Sequence, residues 1–170
     1  MFDYQMSLDY WAGKLNCELR QETEDTPGMM YVEFGYVEGP MLSDNKSLWY
    51  PNNQSRYLTC MHELGHFALY HTQGRPPRTK QQFYFENGVL LSEAQAWEWT
   101  MNNRVEEELE DDTRRFMWKT CLGSYYNAAV LSGFSPGQTL GNGDRHYVSF
   151  SYDKPTDIFW NVKERMLNES

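Results

Sequence analysis

The amino-acid sequence predicts an α+β domain. Three features carry that expectation. Apolar residues recur at helical spacing in several segments, a β-branched and aromatic run occupies residues 29–37, and Gly, Pro and Asn clusters separate them. The 170 residues suit one domain spanning 1–170 with a single core. No internal repeat and no long linker divides it.

Residues 3–20 place Met6, Tyr10, Trp11, Leu15 and Leu19 on one side of a first helix, with Gly13 weakening it. QETEDTPG at 21–28 is a polar loop. MMYVEFGYV at 29–37 predicts a strand, and KSLWY at 46–50 a second one, stopped by Pro51. A helix then follows, capped by Asn53 or Ser55 and carrying Leu58, Met61, Leu64, Phe67 and Ala68. It ends before Gly74-Arg75-Pro76-Pro77. QFYFE at 82–86 has the composition of a short strand. From Ser92, an N-cap residue type, a long helical pattern runs toward Trp118, with a break at Asn102-Asn103. EEELEDD at 106–112 reads as a solvated face. SGFSPGQTLGNGD at 132–144 is a glycine-rich loop, RHYVSFSY at 145–152 a further strand, and 156–168 a closing helix.

Composition narrows the function. The net charge of −9 argues against a nucleic-acid groove or adhesion to an anionic membrane, both of which call for a basic footprint. Neither a basic-then-apolar leader nor an apolar run of membrane-spanning length is present, so we expect neither secretion nor insertion. Cys17, Cys60 and Cys121 are odd in number and widely spaced, which predicts free thiols in a reducing, cytoplasmic compartment.

The chemistry concentrates in HELGH, residues 62–66. On a helix, positions i and i+4 share a face, so His62 and His66 can aim both imidazoles at one point. Zinc accepts imidazole nitrogen in that arrangement. Glu63, beside the first histidine, can reach a water at the metal and serve as general base without ligating. Gly65 costs helix stability but leaves room for another segment to pass close by. Cys60, two residues before His62, projects away from the metal face and reads as core, as do Leu64, Phe67, Trp97 and Trp99.

Two histidines and a water leave one ligand position for the protein. No third histidine follows at metzincin spacing, because His71 stands at the wrong offset. Glu93 is the best candidate: it opens the next predicted helix, and small Ala94 and Ala96 flank it. Glu86, beside Asn87-Gly88, and Glu98, about 140° around the helix from Glu93, are weaker. His146 and Tyr147, or Tyr84, are candidates for stabilising an oxyanion.

HELGH followed by the segment Ser92-Glu93-Ala94-Gln95-Ala96-Trp97 resembles the ImmA/IrrE family of metallopeptidases over residues 56–99. The second motif of that family has the form E-A-(N/D)-x-F-A. This chain matches at Glu93 and Ala94, with Trp97 in the aromatic place, and departs at Gln95 and Glu98. The family's following Leu-Leu-x-Pro is replaced by Thr100-Met101-Asn102-Asn103. The resemblance implies a compact zincin-like fold with helices beside a small antiparallel sheet. It implies Zn2+ held by His62, His66 and Glu93, with Glu63 as the base. It also implies a link to phages or mobile elements and, as one substrate class, helix-turn-helix DNA-binding repressors. The expected activity is that of a zinc endopeptidase acting on a specific protein partner. The competing expectation is a catalytically silent zincin scaffold, such as a phage-particle or toxin–antitoxin component.

Overall fold

A computed structural model describes residues 3–21, 31–33, 36–39, 50–71, 88–134 and 152–168. Helices dominate. They are α1 (Tyr4–Lys14), α2 (Asn53–His71), α3 (Val89–Asn103), α4 (Asp111–Arg115), α5 (Gly123–Ser132) and α6 (Asp157–Asn168), with a π-helical stretch, Phe116–Leu122, between α4 and α5. Three short strands, β1 (Glu18–Gln21), β2 (Tyr31–Glu33) and β3 (Tyr36–Gly39), form a sheet of order β1-β3-β2.

The expected antiparallel sheet is corrected by the pairing. β2 and β3 are antiparallel, with Val32 opposite Val37, but β1 and β3 are parallel, with Leu19 opposite Val37. A parallel pair needs a crossover of a dozen or more residues. The chain between Gln21 and Tyr36 provides one, and β2 is built within it. The single strand expected at 29–37 is thus two strands. Tyr50, the last residue of the second expected strand, is not in a strand. The rest of that segment, the strand expected at 82–86 and nearly all of the one at 145–152 lie outside the described residues.

Local chemistry sets the helix ends. Asp3 caps α1 by accepting the Met6 amide at 2.9 Å. α2 is capped by Asn52 rather than by Asn53 or Ser55. Its Oδ1 accepts the Ser55 amide at 2.7 Å, and the Ser55 hydroxyl turns back to the Asn52 carbonyl at 2.8 Å. α3 begins one turn before the expected cap. Ser92 is buried inside its first turn and donates to the Gly88 carbonyl at 2.6 Å. The helix stops at Asn103, where the expected break falls. The acidic run beyond it is an irregular connection as far as Glu110, with Glu106, Glu108 and Glu110 in solvent and Leu109 buried. Gln54 pins this connection to the first turn of α2, donating to the Glu108 carbonyl and accepting the Glu110 amide, both at 2.9 Å.

The core forms around α2 and α3. Leu58, Met61, Leu64, Leu90, Ala94 and Trp97 are all buried in one cluster. α6 packs on α3 through its stripe Phe159, Val162 and Met166, the i, i+3, i+7 pattern of a helix with one buried face. The close approach of α2 and α3 depends on Gly65. A Cβ there would meet the Ala96 carbonyl oxygen at 2.9 Å and the Trp99 ring at 3.1 Å. Cys17, Cys60 and Cys121 are all free thiols. Among the described residues, no helix is long and apolar enough to cross a membrane.

A methyl group at Gly65 must therefore push α3 away. We expect Gly65→Ala to destabilise the protein by about 1–3 kcal/mol, the usual cost of overpacking, despite the better helix propensity of alanine. Urea denaturation of the variant beside the wild type checks this, and an unchanged or raised midpoint would contradict the close approach.

Candidate metal centre

α2 delivers His62, Glu63 and His66, and α3 delivers Glu93 against them. All four are nearly or completely buried. His62 and His66 stand one turn apart with ring centroids 4.6 Å from each other. The Glu93 carboxylate bridges them: Oε2 lies 2.7 Å from His62 Nε2, and Oε1 lies 3.5 Å from His66 Nε2. Glu63 lies on the other side of the first imidazole, with Oε1 3.5 Å from His62 Nδ1.

His62, Glu63 and His66 each offer a ligand atom, all within 4.8 Å of one another, and this buried trio could hold a metal ion. Glu93 is at least as close to the histidines as Glu63, with carboxylate oxygens 2.7 and 3.5 Å from the two Nε2 atoms. Both Nε2 atoms face Glu93, and a ligating imidazole must present its lone pair to the metal. In a tetrahedral site with bonds of about 2.0–2.1 Å, ligand atoms stand about 3.3 Å apart. The His66 Nε2–Glu93 Oε1 separation is close to that value, whereas His62 Nε2 and Glu93 Oε2 stand at hydrogen-bond distance, so a metal between them requires the carboxylate to turn. Glu93 Oε1 is buried and accepts no hydrogen bond from the described residues, so it keeps a lone pair for a cation.

Electrostatics tie the group together. Burial disfavours charge on His62, but the Glu93 and Glu63 carboxylates outweigh it and raise the imidazole to about 9. Burial keeps His66 low, and the neighbouring His62 charge adds to that. Burial alone would raise Glu93, yet the two histidines hold it well below the ordinary carboxylate range. The metal-free centre is thus an imidazolium–carboxylate pair closed off from water.

Trp97, one turn beyond Glu93, stacks on the His62 ring at 4.3 Å and 14°. It is core, as expected, and also the surface against which His62 is held. Its aromatic character at i+4 from Glu93 was the available signal. Leu64 and Phe67 are core as expected, and Trp99 is partly buried against Trp11. Cys60 is fully buried, and burial pushes its thiol up. Glu98 is only partly buried, and its position on α3 turns it away from the Glu93 face. Glu86, Tyr84, His146 and Tyr147 lie outside the described residues. Asp153, which the sequence did not single out, reaches the first turn of α3 and accepts the Leu90 and Leu91 amides.

Comparison with protein-family models, curated proteins and solved structures finds no match.

The shifts imply a pH signature for the protein kept metal-free with a chelator. His62 gains stability from its raised folded-state pKa, a contribution complete below about 6.5 and lost as pH rises through about 9. The lowered His66 works in the opposite sense, costing stability as pH falls below about 6.5. Glu93 contributes above its ordinary value near 4.5 and loses this toward acid. Melting temperature should peak near neutrality and fall by several degrees toward pH 9. A His62→Gln variant should lose the alkaline fall, and a wild-type curve flat from pH 6.5 to 9 would contradict the pair.

Proposed function

We propose that this chain is a zinc-dependent endopeptidase. The observation that carries the reading is the convergence of two histidines one turn apart, from one helix, on a buried carboxylate of a second helix. An intact glutamate stands beside the first histidine. That donor set, two imidazoles and one carboxylate, belongs to catalytic zinc sites that keep a position open for water and substrate. The resemblance to the ImmA/IrrE family supports the same assignment and the zincin-like fold.

In this reading His62 and His66 hold the metal through Nε2, and Glu93 holds it through its carboxylate. Zinc, when bound, supplies a Lewis acid that polarises the scissile carbonyl and makes a water acidic near neutral pH. Glu63 takes the proton from that water as its oxygen attacks the carbonyl carbon. The same carboxyl then delivers the proton to the leaving nitrogen, so the peptide C–N bond breaks with the proton balance closed. Trp97 fixes the plane of His62 throughout. β2, at one edge of the described sheet, is where an extended peptide could add as a further strand. The acidic surface favours a basic stretch of a protein substrate, and a DNA-binding repressor has that character.

The burial of Glu63 favours a second reading, a catalytically silent zincin scaffold whose metal is structural. Zinc analysis and turnover separate the two. We expect about one zinc per wild-type chain. It should be lost from the His62→Ala, His66→Ala double variant and weakened in Glu93→Ala. Glu63→Gln should retain zinc while losing at least about 100-fold in proteolysis of a basic, repressor-like substrate. Zinc without turnover in the wild type would leave the scaffold, and no zinc after reconstitution would end the enzyme reading and leave a scaffold without metal.

A further inference from the structure

α3 carries Glu93, yet its own sequence supplies no cap. The N-cap residue is Gly88, which has no side chain to bond the free amides of the first turn. Those amides are satisfied from a segment more than sixty residues away. Asp153 Oδ1 accepts the Leu90 amide at 2.7 Å, and Oδ2 accepts the Leu91 amide at 3.0 Å. These are the second and third residues of the helix, the positions that an N-cap side chain bonds. The carboxylate also fills the space of the missing side chain. A Cβ on Gly88 would lie 2.6 Å from Asp153 Cγ, and Gly88 adopts φ +83°, which other residues rarely reach.

Asp153 is also the near end of the segment that continues into α6, and α6 packs along α3. One end of α3 is therefore gripped by a carboxylate and its flank by an apolar stripe of the same C-terminal segment. Glu93 lies two residues beyond Leu91, so its carboxylate moves with the turn that Asp153 holds. A negative group at a helix N-terminus is also favoured by the helix dipole.

We propose that Asp153 is a positioning residue of the metal centre, acting as an N-cap supplied from outside α3 that sets where Glu93 stands against His62 and His66. The inference rests on the metal-site reading above. It differs from a purely stabilising role in one respect: loss of the cap must weaken metal binding beyond what a comparable loss of stability does.

The test measures zinc affinity of the full chain by competition with a chromophoric chelator, together with the melting temperature of the metal-free protein. Asp153→Ala should weaken zinc binding by about 10-fold or more, the usual effect of removing a group that orients a ligand. Asp153→Asn keeps one acceptor and should fall between it and the wild type. It carries the test if the alanine variant does not fold. Leu8→Ala, a buried site on α1 that touches neither Asp153 nor the metal-facing side chains in any recorded hydrogen bond or ion pair, serves as a control of lowered stability and should keep the wild-type affinity. Variants of Asp153 that melt lower but bind zinc as tightly as the wild type would overturn the positioning role and leave the metal site standing. A wild type that binds no zinc would overturn both.

Discussion

The structure depends on one buried contact, the pairing of His62 with Glu93 between α2 and α3. Taking an imidazolium and a carboxylate out of water costs several kcal/mol for each ion, and their attraction repays this only when the geometry is held closely. The rest of the interior serves that requirement. Gly65 brings the backbones together at Ala96, Trp97 fixes the imidazole plane, and Asp153 anchors the first turn of the helix that carries the carboxylate.

A centre of this kind is costly in a protein that needs only a stable core. An apolar pair of similar volume would pack the same two helices without the desolvation penalty. His62, Glu63 and His66 could instead hold a metal ion, and Glu93 is buried against both histidines. The raised His62 and the depressed Glu93 describe the same centre without its cation, with a proton on His62 supplying the positive charge between the two helices. A metal would take over that charge and release the proton, which links metal binding to pH.

Much of the site was legible in the sequence, because its chemistry is local. His62, Glu63 and His66 lie within one and a half turns of a helix, and helix geometry alone aligns the two imidazoles. The apolar pattern located α2 and α6, and the Asn102-Asn103 pair marked the end of α3. Glu93 was reachable because it follows Ser92 in a helical pattern with small Ala94 and Ala96 beside it, and small residues signal close helix packing. Capping was read less well. Residue type pointed to Ser92, Asn53 and Ser55, whereas the working caps are Asp153 and Asn52. The strand run at 29–37 concealed two strands, since alternation does not record where a chain turns.

What the sequence determined by itself was a helix with a metal-capable histidine pair and a neighbouring glutamate, one core, and a net charge of −9. What only the tertiary structure decided was which carboxylate faces both Nε2 atoms, which ring stacks on His62, how β1 pairs with β3, and which distant aspartate caps α3. The division has a physical cause. Backbone periodicity fixes relations over four or five residues, whereas contacts across 31 or 63 residues, as in His62–Glu93 and Asp153–Leu90, exist only after the core has closed around them.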